Sequence, residues 1–372
     1  MSSSANTVLV TGAMGQLGKL TTAILLRRGH RVIALDLRNE HTIASARGLT
    51  PAPGEPGELL PAFVDLLDAA AVRTLVAEHP PSAIVHLAAS VAPPCYRNPV
   101  LAHRVNVDGT TNLVDAAKGL PVPPMFVLAS SSAVYGPRNP HRFTAPLTGV
   151  TPLHPADCYG AQKLAAEETV AGSGLPYAIL RLGAIVSPDG LRQLDRDYFI
   201  LLRASPRDNR VHAVDARDAA LAFANAAGLT AEIHGKVLLI AGNESYMFRQ
   251  WEIQDDMMKV TGVGAIGPDA FLPGDPDDDR GWGLTDWFDT TEAQKLLGFQ
   301  HHSWTDTQVW VADSLGRRRA AIRAVSPVLR GTIRGLLTVL RRRERRGSYA
   351  DPWAFIRTKY GTEALAPEAL DV

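Results

Sequence analysis

In the first half of the chain, short apolar runs alternate with segments whose apolar positions recur every three or four residues. The runs 7–13, 31–37, 61–67, 83–89, 125–132 and 177–186 are bounded by polar or turn residues. They are rich in Val, Ile, Leu and Phe on both faces, as strands covered by helices on both sides must be. The segments 15–28, 68–78, 99–118 and 158–172 carry the helical period between them. Strand–helix alternation predicts βαβ units, and therefore an α/β fold built on a doubly wound parallel sheet. Residues 38–60, punctuated by Pro and Gly, are expected to form a solvated loop.

After residue 187 the pattern becomes irregular. "VHAVDARDAALAFANAAG" predicts a short strand and a helix N-capped by Asp218, and 235–242 predicts another strand. An acidic loop follows at 271–283, then a short helix over 290–299 that ends at Gly298. From about 305 onward the chain is expected to be mainly helical. There is no internal repeat.

Composition narrows the class. A chain of 372 residues, 46% hydrophobic and 20% charged, suits a large α/β domain with additions. Its formal net charge is zero, so no global field recruits nucleic acid. Two cysteines, Cys95 and Cys158, with no histidine cluster beside them, argue against a disulfide framework and a zinc site. They fit a reducing, cytoplasmic setting, and both are expected to act as small apolar residues. No signal peptide and no membrane-spanning run is read.

The first strand runs into Gly12-x-x-Gly15-x-x-Gly18 at the start of a helix. Glycines suit this place because the chain must turn tightly, let its backbone approach a pyrophosphate, and pack the helix closely. The free N–H groups of the helix start then face the phosphates. Asp36 closes the second strand, where a carboxylate accepts from the adenosine ribose hydroxyls and repels a 2′-phosphate. That favours NAD over NADP, with Arg38 keeping a smaller NADP alternative. Asp65 either reaches the adenine amino group or serves as a helix cap or turn residue.

These residues, with "His86-Leu87-Ala88-Ala89", "Asn106-Val107-Asp108-Gly109-Thr110", "Ser130-Ser131-Ser132-Ala133-Val134-Tyr135-Gly136", "Tyr159-Gly160-Ala161-Gln162-Lys163" and "Arg181-Leu182", stand in one order along 7–300. The chain resembles the extended short-chain dehydrogenase/reductase family, which includes nucleotide-sugar epimerases, dehydratases and 3β-hydroxysteroid dehydrogenase-like enzymes. The resemblance implies a Rossmann-type domain that binds NAD through Gly12, Gly15, Gly18, Asp36, Asp65, Leu66, Leu87, Ala88, Ala89, Asn106, Tyr159 and Lys163. It implies that Tyr159 is the catalytic acid/base, that Lys163 lowers its pKa and holds the nicotinamide ribose, and that Ser131 binds the substrate oxygen, with Ser132 the alternative. A phenol titrates near ~10 and needs such positive charge to act as a base at neutral pH. Asn106 would anchor the helix beside the cofactor or cap it. A homodimer through 99–118 and 158–172 is also implied.

Departures from the family pattern bear on the substrate. Ser132 and Ala133 stand where sugar-nucleotide dehydratases carry Asp-Glu, and alanine moves no proton, so 4,6-dehydration is not expected. Gly183 or Ala184 replaces the asparagine that meets a nucleotide sugar, and only Arg207 and Arg210 offer an anion clamp. Residues 91–99, 183–205, 244–251 and 280–288 are the candidate substrate segments, with Gly183, Arg210, Ser132 and Trp282 as candidate substrate residues. Tyr246, Met247, Phe248, Trp251 and Trp287 nearby suit either an apolar pocket or a core.

Residues 317–346 hold eleven arginines and one glutamate. Their apolar positions recur at helical spacing, which predicts a basic amphipathic helix kinked or broken at Pro327. Packing on its own domain or a second subunit, or contact with anionic lipid, fits it better than nucleic acid. The expected organisation is a Rossmann domain over 1–186 with returning segments near 208–242, a mixed substrate region over 187–304, and a helical extension over 305–372. The expected activity is NAD-dependent interconversion of a secondary alcohol and a ketone on a small-to-medium, non-nucleotide, possibly lipophilic substrate. An NAD-retaining sugar or nucleotide-sugar epimerase and a silent NAD sensor or scaffold are the alternatives. No metal is expected.

Overall fold

The computed structural model describes residues 6–192, 196–343 and 347–366. Among them, seven parallel strands form one sheet in the order β3-β2-β1-β4-β5-β6-β9. These are β1 (Thr7–Thr11), β2 (Arg31–Asp36), β3 (Glu58–Phe63), β4 (Ala83–His86), β5 (Met125–Ser131), β6 (Tyr177–Leu182) and β9 (Lys236–Ile240). Val8, Val10, Val32, Ala34, Val85 and Val127 point to one face. Leu9, Ile33, Leu35, Ile84, Phe126 and Leu128 point to the other. The two-residue period of a strand makes that division, and helices bury both faces. Helix α1 (Gln16–Arg27) lies on the first face. On the second lie α3 (Ala69–Glu78), α4 (Gly109–Lys118) and α5 (Cys158–Ala171).

Several boundaries differ from the sequence expectation. The segment 38–60 is not one loop: it contains α2 (Glu40–Leu49), started by a reciprocal Asn39–Thr42 cap and burying only Thr42 and Ala46. So small a buried face leaves little hydrophobic period to read. Strand β3 begins three residues before the expected 61 and includes Pro61, which an edge strand tolerates because it has one open side. The expected strand 177–186 is divided at Gly183 into β6 and β7 (Ala184–Val186), which belong to different sheets. A Cβ at Gly183 would lie 2.3 Å from the His212 carbonyl oxygen. Gly183 thus lets the chain cross against β8 (Arg210–Asp215), which pairs with β7 and with β10 (Met247–Arg249).

The helix after β8, α6 (Ala216–Ala226), is capped by Asp215, not Asp218. Asp218 is buried in the first turn and accepts the His301 and His302 N–H groups. Beyond α7 (Gln250–Thr261) and α8 (Trp304–Leu315), the tail forms α9 (Arg317–Arg343), which continues unbroken through Pro327, and α10 (Pro352–Tyr360). Of the expected basic helix, 344–346 lie outside the described residues, as do 193–195 of the candidate substrate segments. No helix among the described residues is long and apolar enough to cross a membrane.

Candidate active site

The sheet order reverses between β1 and β4, and the crevice beyond their carboxyl ends is where this architecture binds ligands. The glycine loop lies there. Gly12 has φ +62°, and a Cβ on it would sit 2.9 Å from the backbone of Ala88. A Cβ on Gly18 would sit 2.1 Å from the Gly12 carbonyl oxygen. Loop, helix and the β4 end are therefore packed at backbone distance. Gly15 caps α1 without a side-chain hydrogen bond, and no acid occupies the first turn. This is a cradle with free N–H groups and no competing negative charge, which fits a dinucleotide pyrophosphate. The Asp36 carboxylate accepts from the Met14 N–H at 2.9 Å, which fastens it to the rim of the loop. Arg38 is exposed, with its guanidinium 5.0 Å from the Phe63 ring. Asp65 is exposed and accepts from the Leu67 N–H, the turn role rather than the helix cap, which is Asp68.

A buried relay fixes the β4 end. The Thr110 hydroxyl donates to the Asn106 carbonyl at 2.7 Å, so its oxygen must accept from His86 Nε2 at 2.9 Å. His86 Nδ1 then accepts from the Thr11 hydroxyl at 2.6 Å, and the Thr11 oxygen accepts from the Ala88 N–H. This order of donors fixes the neutral Nε2–H tautomer. Burial, with the nearby Lys163 charge, pushes His86 down to about 3. Asn106 neither caps a helix nor faces solvent. It sits in a π-helical turn, accepts from the Ser90 N–H at 2.7 Å, and donates to the Ser90 carbonyl and to Gln162. The stretch 87–90 is thereby tied to α5.

Helix α5 begins where Asp157 accepts the Gly160 N–H. Asp157 is fully buried and also accepts the Tyr96 hydroxyl. Burial pushes its carboxyl up to about 6. In the first turn, Tyr159 is half-buried. Burial raises its phenol above the ordinary range, and potential charge on Cys95 and Asp157 raises it further. Only the Ser131 hydroxyl, hydrogen-bonded to it, pulls the other way. Lys163 is buried and donates to the Ala129 carbonyl at 2.8 Å. Burial pulls its ammonium down to about 8 against the support of Glu167. The expected lowering of the Tyr159 pKa by Lys163 is absent from the chain's own electrostatics. The lysine faces a carbonyl of β5. Ser131, Tyr159 and Lys163 are nevertheless brought to one place, at the end of β5 and the start of α5.

Glu167, one turn beyond Lys163, receives Arg181 Nε at 3.0 Å and Nη2 at 2.6 Å. The same guanidinium donates to the Tyr135 hydroxyl and the Gly149 carbonyl. This buried network welds α5 to β6. The sequence shows Arg181 as a motif residue but does not show Glu167 as its partner.

A family model for the NAD dependent epimerase/dehydratase family matches residues 8–226, which span the glycine loop, β4, β5, α5 and β6. The chain belongs to that family. The extended short-chain dehydrogenase/reductase type read from the motifs is therefore right. A UDP-glucose 4-epimerase of Schizosaccharomyces pombe is 31% identical over 181 residues, covering 47% of this chain and 50% of its own. UDP-glucuronate 4-epimerase 3 of Arabidopsis thaliana is 32% identical over 201 residues, 53% of this chain and 46% of its own. The chain thus matches about half the length of these relatives. In solved structures, the fold is similar to UDP-glucuronic acid 4-epimerase from Bacillus cereus in complex with UDP-glucuronic acid and NAD. The TM-score is 0.65 at 20% identity, over 84% of this chain and 99% of that one.

The candidate substrate residues of this epimerase/dehydratase family member are placed less favourably than expected. Trp282 is fully buried against Gly274, and its indole N–H donates to the Asp278 carbonyl. It is a packing residue. Arg210 is buried and donates to the carbonyls of Pro140, Phe143 and Thr144, with Asp286 beside it. Its donors clamp the 140–144 loop. Gly183 serves the strand crossing, and Ser132 is buried behind Ser131. Tyr246 and Phe248 pack with Trp304 in a core cluster, and Trp287 lies between Arg210 and Arg249. One feature of the site was not foreseen. Cys95 and Cys158 lie in hydrogen-bonding contact, and their cluster includes Trp353, Ile356 and Leu365 from the tail, with Tyr159 packed against it.

Proposed function

We propose that the chain catalyses NAD-dependent interconversion of a secondary alcohol and a ketone, on a substrate with an apolar body and no nucleotide. The observation that carries this reading is the wall around Tyr159. Tyr159 packs against an apolar cluster that includes Cys95 and the tail residues Trp353 and Leu365, and Ala92, Leu201 and Leu284 pack against the same cluster. An apolar wall favours an apolar substrate body. Arg207, with Asp269 and the Pro268 carbonyl as partners, and Arg210, with its carbonyls, are both engaged within the protein. Neither supports a phosphate clamp.

In this reading NAD, when bound, supplies the hydride acceptor or donor. The glycine loop and the first turn of α1 hold its pyrophosphate, and Asp36 its adenosine ribose. Lys163 would hold the nicotinamide ribose, with its charge beside Tyr159. Tyr159 moves the proton at the carbinol oxygen, and Ser131 donates a hydrogen bond to that oxygen. In the oxidative direction the carbinol hydrogen leaves with both bonding electrons as hydride, and the O–H proton passes to Tyr159 as phenolate, whose own proton has first gone to solvent.

The relatives favour a second reading. They are named as UDP-sugar 4-epimerases, in which the same groups would oxidise a carbinol and return the hydride to its other face. Denaturing the purified protein, assaying released nucleotide, and then following absorbance with a panel of secondary alcohols separates the two. Net NADH formation, falling about 10²–10⁴-fold in Tyr159→Phe, supports the first reading. Isomer interconversion on tightly held NAD without net NADH replaces it with the second.

A further inference from the structure

We infer that α9 is a docking surface for an anionic lipid bilayer. The 27-residue helix holds nine arginines and no acid. Among the described residues, none of its arginines takes part in an ion pair with a carboxylate. Three of them anchor the helix to its own domain through neutral acceptors. Arg319 donates to the Val260 carbonyl and Arg334 to the Ile266 carbonyl, each at 2.8 Å, and Arg341 donates to Ala270. Carbonyls orient these side chains but leave their charge uncompensated.

The side of the helix that the domain leaves open is apolar. Val325, Val328, Leu336 and Val339 are 51%, 72%, 55% and 61% exposed. With Thr332 they follow steps of three and four residues, which places them on one stripe. Arg317 and Arg318 stand at one end of the stripe, and Arg342 and Arg343 at the other. A helix of this length runs about 40 Å. An apolar stripe between paired arginines, on a helix whose other side is fastened down, is the arrangement of a helix lying in a bilayer interface. Its side chains enter the acyl boundary while guanidinium groups reach anionic headgroups. A second copy of the chain is the weaker occupant, because pairing two such helices brings eighteen uncompensated arginines together. The occupant must bring negative charge and accept apolar side chains, and an anionic membrane surface does both.

The test is flotation of the full-length protein with vesicles of phosphatidylcholine alone, or mixed with about a quarter phosphatidylglycerol, the anionic probe. Binding is expected with the anionic vesicles only, and it should weaken at about 1 M salt. Replacing Val325, Val328, Leu336 and Val339 together by Asn should reduce partitioning about tenfold or more. Arg342→Gln with Arg343→Gln should reduce it about fivefold per charge. All four apolar side chains are exposed, so unchanged thermal unfolding and NAD binding should accompany the loss. No binding to anionic vesicles overturns the inference, as does equal binding to neutral ones. Undiminished binding by the Asn variant overturns it too. Lipid-independent dimers that dissociate in the Asn variant would reassign the stripe to a second copy.

Discussion

His86 shows how one side chain can be committed by its neighbours. Its relay supplies an acceptor for Nε2–H and a donor for Nδ1, so protonation would place two donors face to face. Its folded pKa is about 3, against about 6.5 when unfolded. Between those values the unfolded chain binds one more proton than the folded chain. Stability should therefore fall by about 1.4 kcal/mol per pH unit as pH drops through that window. His86→Asn, titrated by urea unfolding between pH 7 and 4, should show a slope shallower by about one proton. An unchanged slope would mean that the imidazole charges without penalty. At Asp36, the carboxylate is fastened at the loop rim, where it would oppose a 2′-phosphate. Asp36→Ser should shift the NADP-to-NAD affinity ratio toward NADP by about tenfold, read by calorimetry. A ratio that stays put would assign the discrimination elsewhere.

At the scale of elements, α5 carries Tyr159 and Lys163, and polar ties along its length hold it. Asp157 caps its start, Gln162 binds Asn106, and Glu167 binds Arg181. The last pair is buried on both sides, with relative exposures of 4% and 5%. Breaking one partner leaves an unpaired charge in the core. Arg181→Met should therefore cost about 3–5 kcal/mol, whereas Arg181→Met with Glu167→Leu should recover much of that loss. Chemical denaturation of the two variants checks the sign. A double variant no more stable than the single one would show that the pair also organises Tyr135 and Ser130, which share its atoms.

At the scale of the whole molecule, the sheet forms the floor of the site and the tail its side wall. The C-terminal segment is latched by Asp197, which takes Arg97 at 2.7 Å and also Lys359. Leu365 bridges Asp157 at the start of α5, and the Ala366 N–H donates to the Ala156 carbonyl at 3.1 Å. Exposed Val100 and Leu101, just before α4, lie on the face expected to pair two copies. Light scattering should return a mass near twice the 40.0 kDa chain, and a single-chain mass would refute the dimer.

The alternation of apolar runs and helical periods was enough to determine the doubly wound sheet. The central strands are buried on both faces, and each helix needs a stripe of fixed period to cover them. The glycine triplet, Asp36 and the Tyr159–Lys163 spacing were likewise legible, because turn geometry and helix periodicity are local. The weakly amphipathic α2, the early start of β3 and the cap at Asp215 were not. Each depends on a few side chains whose partners do not stand out in the sequence. Tertiary structure alone decided which polar residues were already spent. Arg210 and Trp282 look like ligand contacts in a loop-rich stretch, yet folding gives the Arg210 terminal nitrogens to carbonyls about seventy residues away and buries Trp282 against Gly274. It alone also brought Cys95 to Cys158 and folded the tail against Tyr159. Contacts between residues that far apart are set by the packing of whole layers, and no local period records them.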